Sequence, residues 1–217
     1  MARTACPAVE VTSVDVNDDL MRGARAVAAD VGILLCTRAE DVNAICIKPG
    51  HYDFIVCRSS LYHFVELEHV LGQIRRGLSP KGEFLLIGEY IGRNGLMLYP
   101  ETEAIAGRIF SALPPRLRFN NYTKQVDESL PNIDHSQGSF EAVRSQDIMP
   151  LLMKGFSPVE FVTFDAFVSL LLDWRYGPNY DLTDSMDQAV VALITDLDVL
   201  AIANGILKPT ALFGIFR

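Results

Sequence analysis

The residues best equipped for chemistry stand where short apolar runs end. Asp15 closes the β-branched run Val9-Glu-Val-Thr-Ser-Val-Asp-Val16. An acid at a strand end is where nucleotide folds receive ribose hydroxyls. The same residue, crowded by Asn17, Asp18 and Asp19, also suits a helix N-cap or a solvated strand end. His63 follows the run Tyr52-Asp-Phe-Ile-Val-Cys57. Histidine exchanges protons near neutral pH, so His63 is the candidate general base, with packing or capping as its other use. Glu89 and Tyr90 end the run Glu83-Phe-Leu-Leu-Ile-Gly88 and either shape an acceptor pocket or cap the strand. His51, His69 and His135 are scattered without metal-ligand spacing, so no metal site is expected. Asp181, Asp184 and Asp187 lack the central glycine and terminal glutamate of a calcium loop and read as a helix N-terminus.

Positioning these residues requires alternating strands and helices. Asp18 to Ala29 carries Leu20, Ala24, Val27 and Ala28 at helical spacing, with Gly32 placed to end it. Ile33–Thr37 reads as a strand, and Tyr52–Cys57 as a strand buried on both faces. Leu67 to Leu78 reads as a helix, stopped by Ser79-Pro-Lys-Gly82 before the strand Glu83–Gly88. The rhythm then breaks from Gly92 to Phe140, which holds a helical piece at Thr102–Leu113 and Pro114-Pro115. We read 92–140 as an insertion or lid beside the site. A helix at Asp147–Leu152, a strand at Val159–Phe164, a helix at Ser185–Ala203 and a closing strand at Ala211–Phe216 follow. Phe167–Trp174 fits strand or helix. The aromatic set Phe161, Phe164, Phe167 and Trp174 reads as core packing.

A chain of 217 residues, 49% hydrophobic and 21% charged, has enough apolar surface to fold as one domain. Nineteen basic against 27 acidic residues give a net charge of −8 without a long basic run, so nucleic acid is not expected as a partner. No stretch approaches the roughly 18 uninterrupted apolar residues of a membrane span, and Met1–Val9 lacks a signal-peptide apolar core. The expectation is a soluble, cytoplasmic protein with no membrane partner. Cys6, Cys36, Cys46 and Cys57 form no CxxC pair and are expected as buried reduced thiols.

In order along the chain, four pieces carry a resemblance. They are Ser13-Val-Asp-Val16, Glu40-Asp-Val-Asn43, Tyr52-Asp-Phe-Ile-Val with Ser60-Leu-Tyr-His-Phe64, and Leu71 to Ile87 with its Leu-Ser-Pro-Lys-Gly82 turn. Together they resemble the later part of a class I AdoMet-dependent methyltransferase. Glu89-Tyr-Ile-Gly-Arg-Asn-Gly95 and Phe140-Glu-Ala-Val-Arg-Ser145 continue in the manner of a bacterial subgroup often encoded near sugar-transfer genes. The resemblance extends from about Val9 to Arg217. It implies an α/β, incomplete Rossmann-like methyltransferase fold over 1–217: a mostly parallel sheet with an antiparallel closing strand and helices on both faces. It also implies S-adenosyl-L-methionine as cofactor, with Asp15 on the ribose, Asp41 on the adenine amine and Val42 over the ring. Arg58, Ser59 and Ser60 would floor the site, and Tyr62, Glu89 and Tyr90 would face a small-molecule substrate. Surface exposure for Asp41 and strand-end capping for Arg58 to Ser60 are the other readings of the same residues.

One departure from the family pattern shapes the remaining expectations. The family opens with a strand and a glycine-rich turn, which lets backbone N–H groups approach the cofactor. Here no glycine precedes Gly23, and Met1 to Ala8 are too few for a strand and a crossover. The family places that strand in mid-sheet. Its absence implies a piece of a longer product, direct pairing of the strand at Val11 with that at Phe54, or coverage by a second copy. Gap closure or a homodimer is the expectation. Two functions follow: a methyltransferase for a small-molecule acceptor such as a sugar or polyketide-like compound, or a non-catalytic methyltransferase-like scaffold that has lost cofactor binding.

Overall fold

The computed structural model describes residues 9–217. The order is β1 (Glu10–Asp15), α1 (Asp18–Val31), β2 (Leu34–Ala39), β3 (Tyr52–Arg58), α2 (Leu67–Gly77), β4 (Leu78–Tyr90), α3 (Pro100–Ala112), β5 (Phe119–Asn120), β6 (Gln125–Val126), α4 (Ser145–Gly155), β7 (Pro158–Phe164), α5 (Val168–Leu172), α6 (Ser185–Ala203) and β8 (Ala211–Phe216). Short 3-10 turns lie between them, among them Val42–Ala44 and Leu61–His63.

The first unit is a parallel β1–α1–β2 crossover in which Asp15 pairs with Ala39. Local chemistry defines its helix. The Asn17 side chain accepts from the N–H groups of Asp19 and Leu20, and Asp18 and Asp19 favour the positive end of the helix dipole. At the far end Gly32 adopts φ 68°, where its N–H reaches the Ala28 and Ala29 carbonyls.

A four-stranded sheet, ordered β3-β4-β8-β7, forms the second unit. β3 and β4 are parallel, and β8 runs antiparallel to both β4 and β7. Strands β3, β4 and β7 therefore share one direction, and β8 is the single reversed strand. This is the expected α/β arrangement with its antiparallel closing strand. One face carries Phe84, Leu86 and Phe216, on which Leu67, Val70, Leu71 and Ile74 of α2 and Ile148 and Leu152 of α4 pack into the main core. The registers Val56↔Leu85 and Ile87↔Phe213↔Val162 set the opposite face, where Phe54, Val56, Val162 and Phe213 remain exposed.

The expected pairing between the strands at Val11 and Phe54 does not form. Among the described residues β1 pairs with β2 alone and β3 with β4 alone, leaving the facing sides of both without ladder partners. Packing sets the position of β1 instead: Val14 and Val42 lie against the main core. The Asn43 side chain also accepts from the Val65 and Glu66 N–H groups at the start of α2.

β4 begins earlier than expected and includes Ser79-Pro-Lys-Gly82. Tyr52 pairs with Leu78, and the register then shifts so that Phe54 meets Glu83. Gly82 sits in that irregularity, where a Cβ would lie 2.8 Å from the Tyr52 carbonyl oxygen. The ambiguous Phe167–Trp174 is the short helix α5. The N–H groups of Ala166 and Phe167 just before it, and of Val168 at its start, are all received by the buried Asp198 of α6. Residues 92–140 contribute Ala106, Phe110 and Leu117 to a second core with Phe167, Leu171, Tyr176 and Ile194. Only Cys57 meets the expectation of a buried thiol. Cys36 and Cys46 are exposed, because one lies on the edge strand β2 and the other in the following loop, and Cys6 lies outside the described residues. No helix among the described residues is long and apolar enough to cross a membrane.

Candidate functional site at the carboxyl ends of the parallel strands

Parallel pairing sends the ends of β1 and β2 the same way, and likewise those of β3 and β4. In open α/β sheets, ligands bind outside these carboxyl ends. Asp15 ends β1. Its Oδ1 accepts the Asn17 N–H at 2.7 Å, and its Oδ2 has no hydrogen-bond partner among the described residues. The Glu40 N–H donates to the Asp15 carbonyl, which ties the turn after β2 to the end of β1. In that turn Asp41 caps the 3-10 helix, its Oδ1 accepting from the Asn43 backbone and side-chain nitrogens. Its Oδ2 is likewise without a partner among the described residues. Val42 is half-buried against the main core. Asn43, through its bonds to Val65 and Glu66, brings this turn beside the segment that follows β3.

That segment carries the other candidates. Arg58 ends β3 and is exposed. Ser59 has φ 46°, in the left-handed region that non-glycine residues rarely adopt, and its hydroxyl donates to the Gly88 carbonyl at 3.2 Å. Such strain clusters at functional sites. The carboxylate of Glu89 is fully buried. It accepts the Ser60 N–H at 3.1 and 3.2 Å and the Leu61 N–H at 2.9 Å. Through these bonds Glu89 joins the ends of β3 and β4. Burial pushes its pKa up, against the opposing pull of the backbone N–H donors. Tyr62 is half-buried, with its ring 4.2 Å from that of His63 and 6.2 Å from that of Tyr90. Burial raises the pKa of Tyr62, and nearby Glu141 and Glu89 add to the shift. Burial likewise raises that of Tyr90, so both phenols stay protonated in the ordinary pH range.

His63 Nδ1 lies 3.1 Å from the Phe140 carbonyl oxygen and 3.9 Å from Glu141 Oε2. Neither partner emerged as a site residue from sequence patterning. The only signal was the Phe140–Ser145 stretch within the family resemblance. No group of three or more metal-ligating side chains occurs among the described residues.

Parallel strand pairs, closed by one reversed strand, define a Rossmann-like α/β fold. Residues 1–86 match the model of a methyltransferase domain, and the fold is shared with solved methyltransferase structures. Among solved structures, the chain is similar to an S-adenosylmethionine-dependent methyltransferase from Mesorhizobium loti. The two are 16% identical over 100% of this chain and 84% of that one, with a TM-score of 0.51. It is also similar to the O-methyltransferase of a trans-AT PKS multienzyme of Brevibacillus brevis, solved with S-adenosyl-L-homocysteine. There the identity is 13% over 99% of this chain and 60% of that one, with a TM-score of 0.50. A protein from Pyrococcus horikoshii is 27% identical over 38% of this chain and 37% of its own, with a TM-score of 0.34. The chain thus spans 37% of the Pyrococcus protein and 60% of the Brevibacillus protein, less than two thirds of each. A search of the curated proteins gives no match.

Proposed function

We propose that this protein acts as an AdoMet-dependent methyltransferase on a small hydroxylated acceptor, a sugar or similar compound. The observation that supports the reading is that Asp15 ends β1, Asp41 and Val42 lie in the turn after β2, and Ser59 and His63 follow β3, all within the stretch that matches the methyltransferase domain model. The partnerless Oδ2 atoms of Asp15 and Asp41 suit the nucleoside half of the cofactor. Asp15 would accept the ribose hydroxyls and Asp41 the adenine amine, with Val42 covering the ring. AdoMet, when bound, supplies an electrophilic methyl group on a sulfonium. His63 would take the acceptor's hydroxyl proton as its oxygen gains the methyl, and Tyr62 and Tyr90 would wall the acceptor side. Arg58 and Ser59 would form the floor.

A second reading, a scaffold without catalysis, is favoured by the sides of β1 and β3 that lack ladder partners among the described residues. Isothermal titration of the intact protein with AdoMet and S-adenosyl-L-homocysteine separates the two. Micromolar binding supports the enzyme, and no heat with either ligand supports the scaffold. In both readings two copies associate through the exposed strand sides and the Phe54–Val56 face. Sedimentation that stays monomeric across the micromolar range would exclude the homodimer.

A further inference from the structure

The Phe140 carbonyl has a consequence for His63. A carbonyl oxygen only accepts hydrogen bonds, so at 3.1 Å the Nδ1 of His63 must be the donor. The neutral ring is thereby held as the Nδ1–H tautomer, with its lone pair on Nε2. Among the described residues Nε2 has no hydrogen-bond partner. It is the nitrogen left able to take a proton. Once it does, the imidazolium charge forms within 3.9 Å of the Glu141 carboxylate measured from Nδ1. Buried Glu89 and the Tyr62 phenol are the other titratable groups close by.

The carbonyl is itself held by a connected set of contacts. The next-but-one residue, Ala142, is fully buried at φ 52°, and its carbonyl receives the Gly95 N–H at 2.9 Å. The Gly95 carbonyl in turn receives the His135 N–H at 2.9 Å. Ser145 donates its hydroxyl to the Gly92 carbonyl at 3.0 Å from a buried position. Gly95 has φ 71°, and a Cβ there would lie 2.0 Å from Asp134 Oδ1 and 3.3 Å from Asp134 Cα. Only glycine meets both demands. Segment 134–142 is therefore clamped against 92–95, with the Phe140 carbonyl aimed at His63.

We propose that the Phe140 carbonyl is the positioning group that makes His63 a base, and that Gly95 keeps it in place. This rests on the reading of His63 as the general base and adds what gives its ring the required tautomer. In this arrangement the base exists only while the end of the 92–140 segment is docked. The dyad of imidazole and main-chain carbonyl does for this ring what a carboxylate does in other histidine sites.

The test is nitrogen-15 NMR of the imidazole in the full chain, with His63 signals assigned by a His63→Gln control. In its neutral form the wild-type ring should show the Nδ1–H tautomer. Gly95→Ala should shift the population toward Nε2–H. An Nε2–H majority in the wild type overturns the proposal without any variant, so a Gly95→Ala protein that fails to fold does not shelter it. A folded Gly95→Ala protein with an unchanged tautomer removes Gly95 from the role. Once an acceptor is identified, Gly95→Ala should lower kcat by about tenfold or more, within the range a general base supplies, and leave AdoMet affinity within about twofold. The tautomer is read without cofactor. Failure to bind AdoMet would therefore sink the enzyme reading and not the assignment of the ring.

Discussion

Replacing Glu89 probes how the ends of β3 and β4 are joined. The carboxylate is fully buried and receives two backbone N–H groups, from Ser60 and Leu61. Each hydrogen bond to a charged acceptor contributes about 1.5–3 kcal/mol, and Glu89→Ala would leave both donors buried without partners. The same change removes a buried charge whose raised pKa shows that its desolvation is costly. The net loss should therefore fall at about 2–4 kcal/mol, or roughly 5–15 °C in Tm for a chain of this size. Glu89→Gln retains one acceptor and should cost about 1–2 kcal/mol. The pH dependence has a definite sign. Burial raises the folded-state pKa above the ordinary 4.5, so in the window upward from 4.5 the folded chain binds more protons than the unfolded one. Stability from this group is thus fully present below that window and declines as pH rises through it. Urea denaturation of wild type and Glu89→Gln at a series of pH values isolates the effect, because the amide cannot titrate. The stability difference, wild type minus variant, should fall with rising pH from about 4.5. A flat difference, or an alanine variant within about 1 kcal/mol of wild type, would refute the assignment of Glu89 as a buried tie.

Three further outcomes follow from the same geometry. Leu152→Ala opens the fully buried junction of α4 with the sheet and should lower stability by about 2–5 kcal/mol, read as a reduced urea midpoint at unchanged m. If AdoMet binds, Asp15→Ala should weaken it by about 1–3 kcal/mol in calorimetry, and unchanged affinity would take Asp15 out of the site. Brief alkylation of the native protein followed by peptide mapping should modify Cys36 and Cys46. Cys57 should stay protected until unfolding, because burial pushes its thiol up to about 12.

Much of the fold is legible in local pattern. The spans read for Ser185–Ala203 and Ala211–Phe216 are those observed, and α1 ends at the glycine that punctuates its sequence. The parallel direction of β1 with β2 and of β3 with β4 was legible too, in the alternation of strands with helices. Pairing partners were not. The separation of β1 from β3 depends on Val14, Val42 and Asn43 finding contacts in the main core and at α2. The helix at Val168 depends on a cap from Asp198, 30 residues away. That Glu89 is buried and bonded to the Ser60 and Leu61 N–H groups could not be read along the chain, because those partners lie 28 and 29 residues away.

Elements, their polarity and the residue types at their ends are written into this chain, because periodicity and capping are satisfied within a turn or a few residues. Which carboxylate is buried, which strand side lacks a ladder among the described residues and which nitrogen of His63 faces a carbonyl were settled by folding. Each depends on a partner distant along the chain, as Phe140 is 77 residues from His63, and packing alone brings such partners within hydrogen-bond reach.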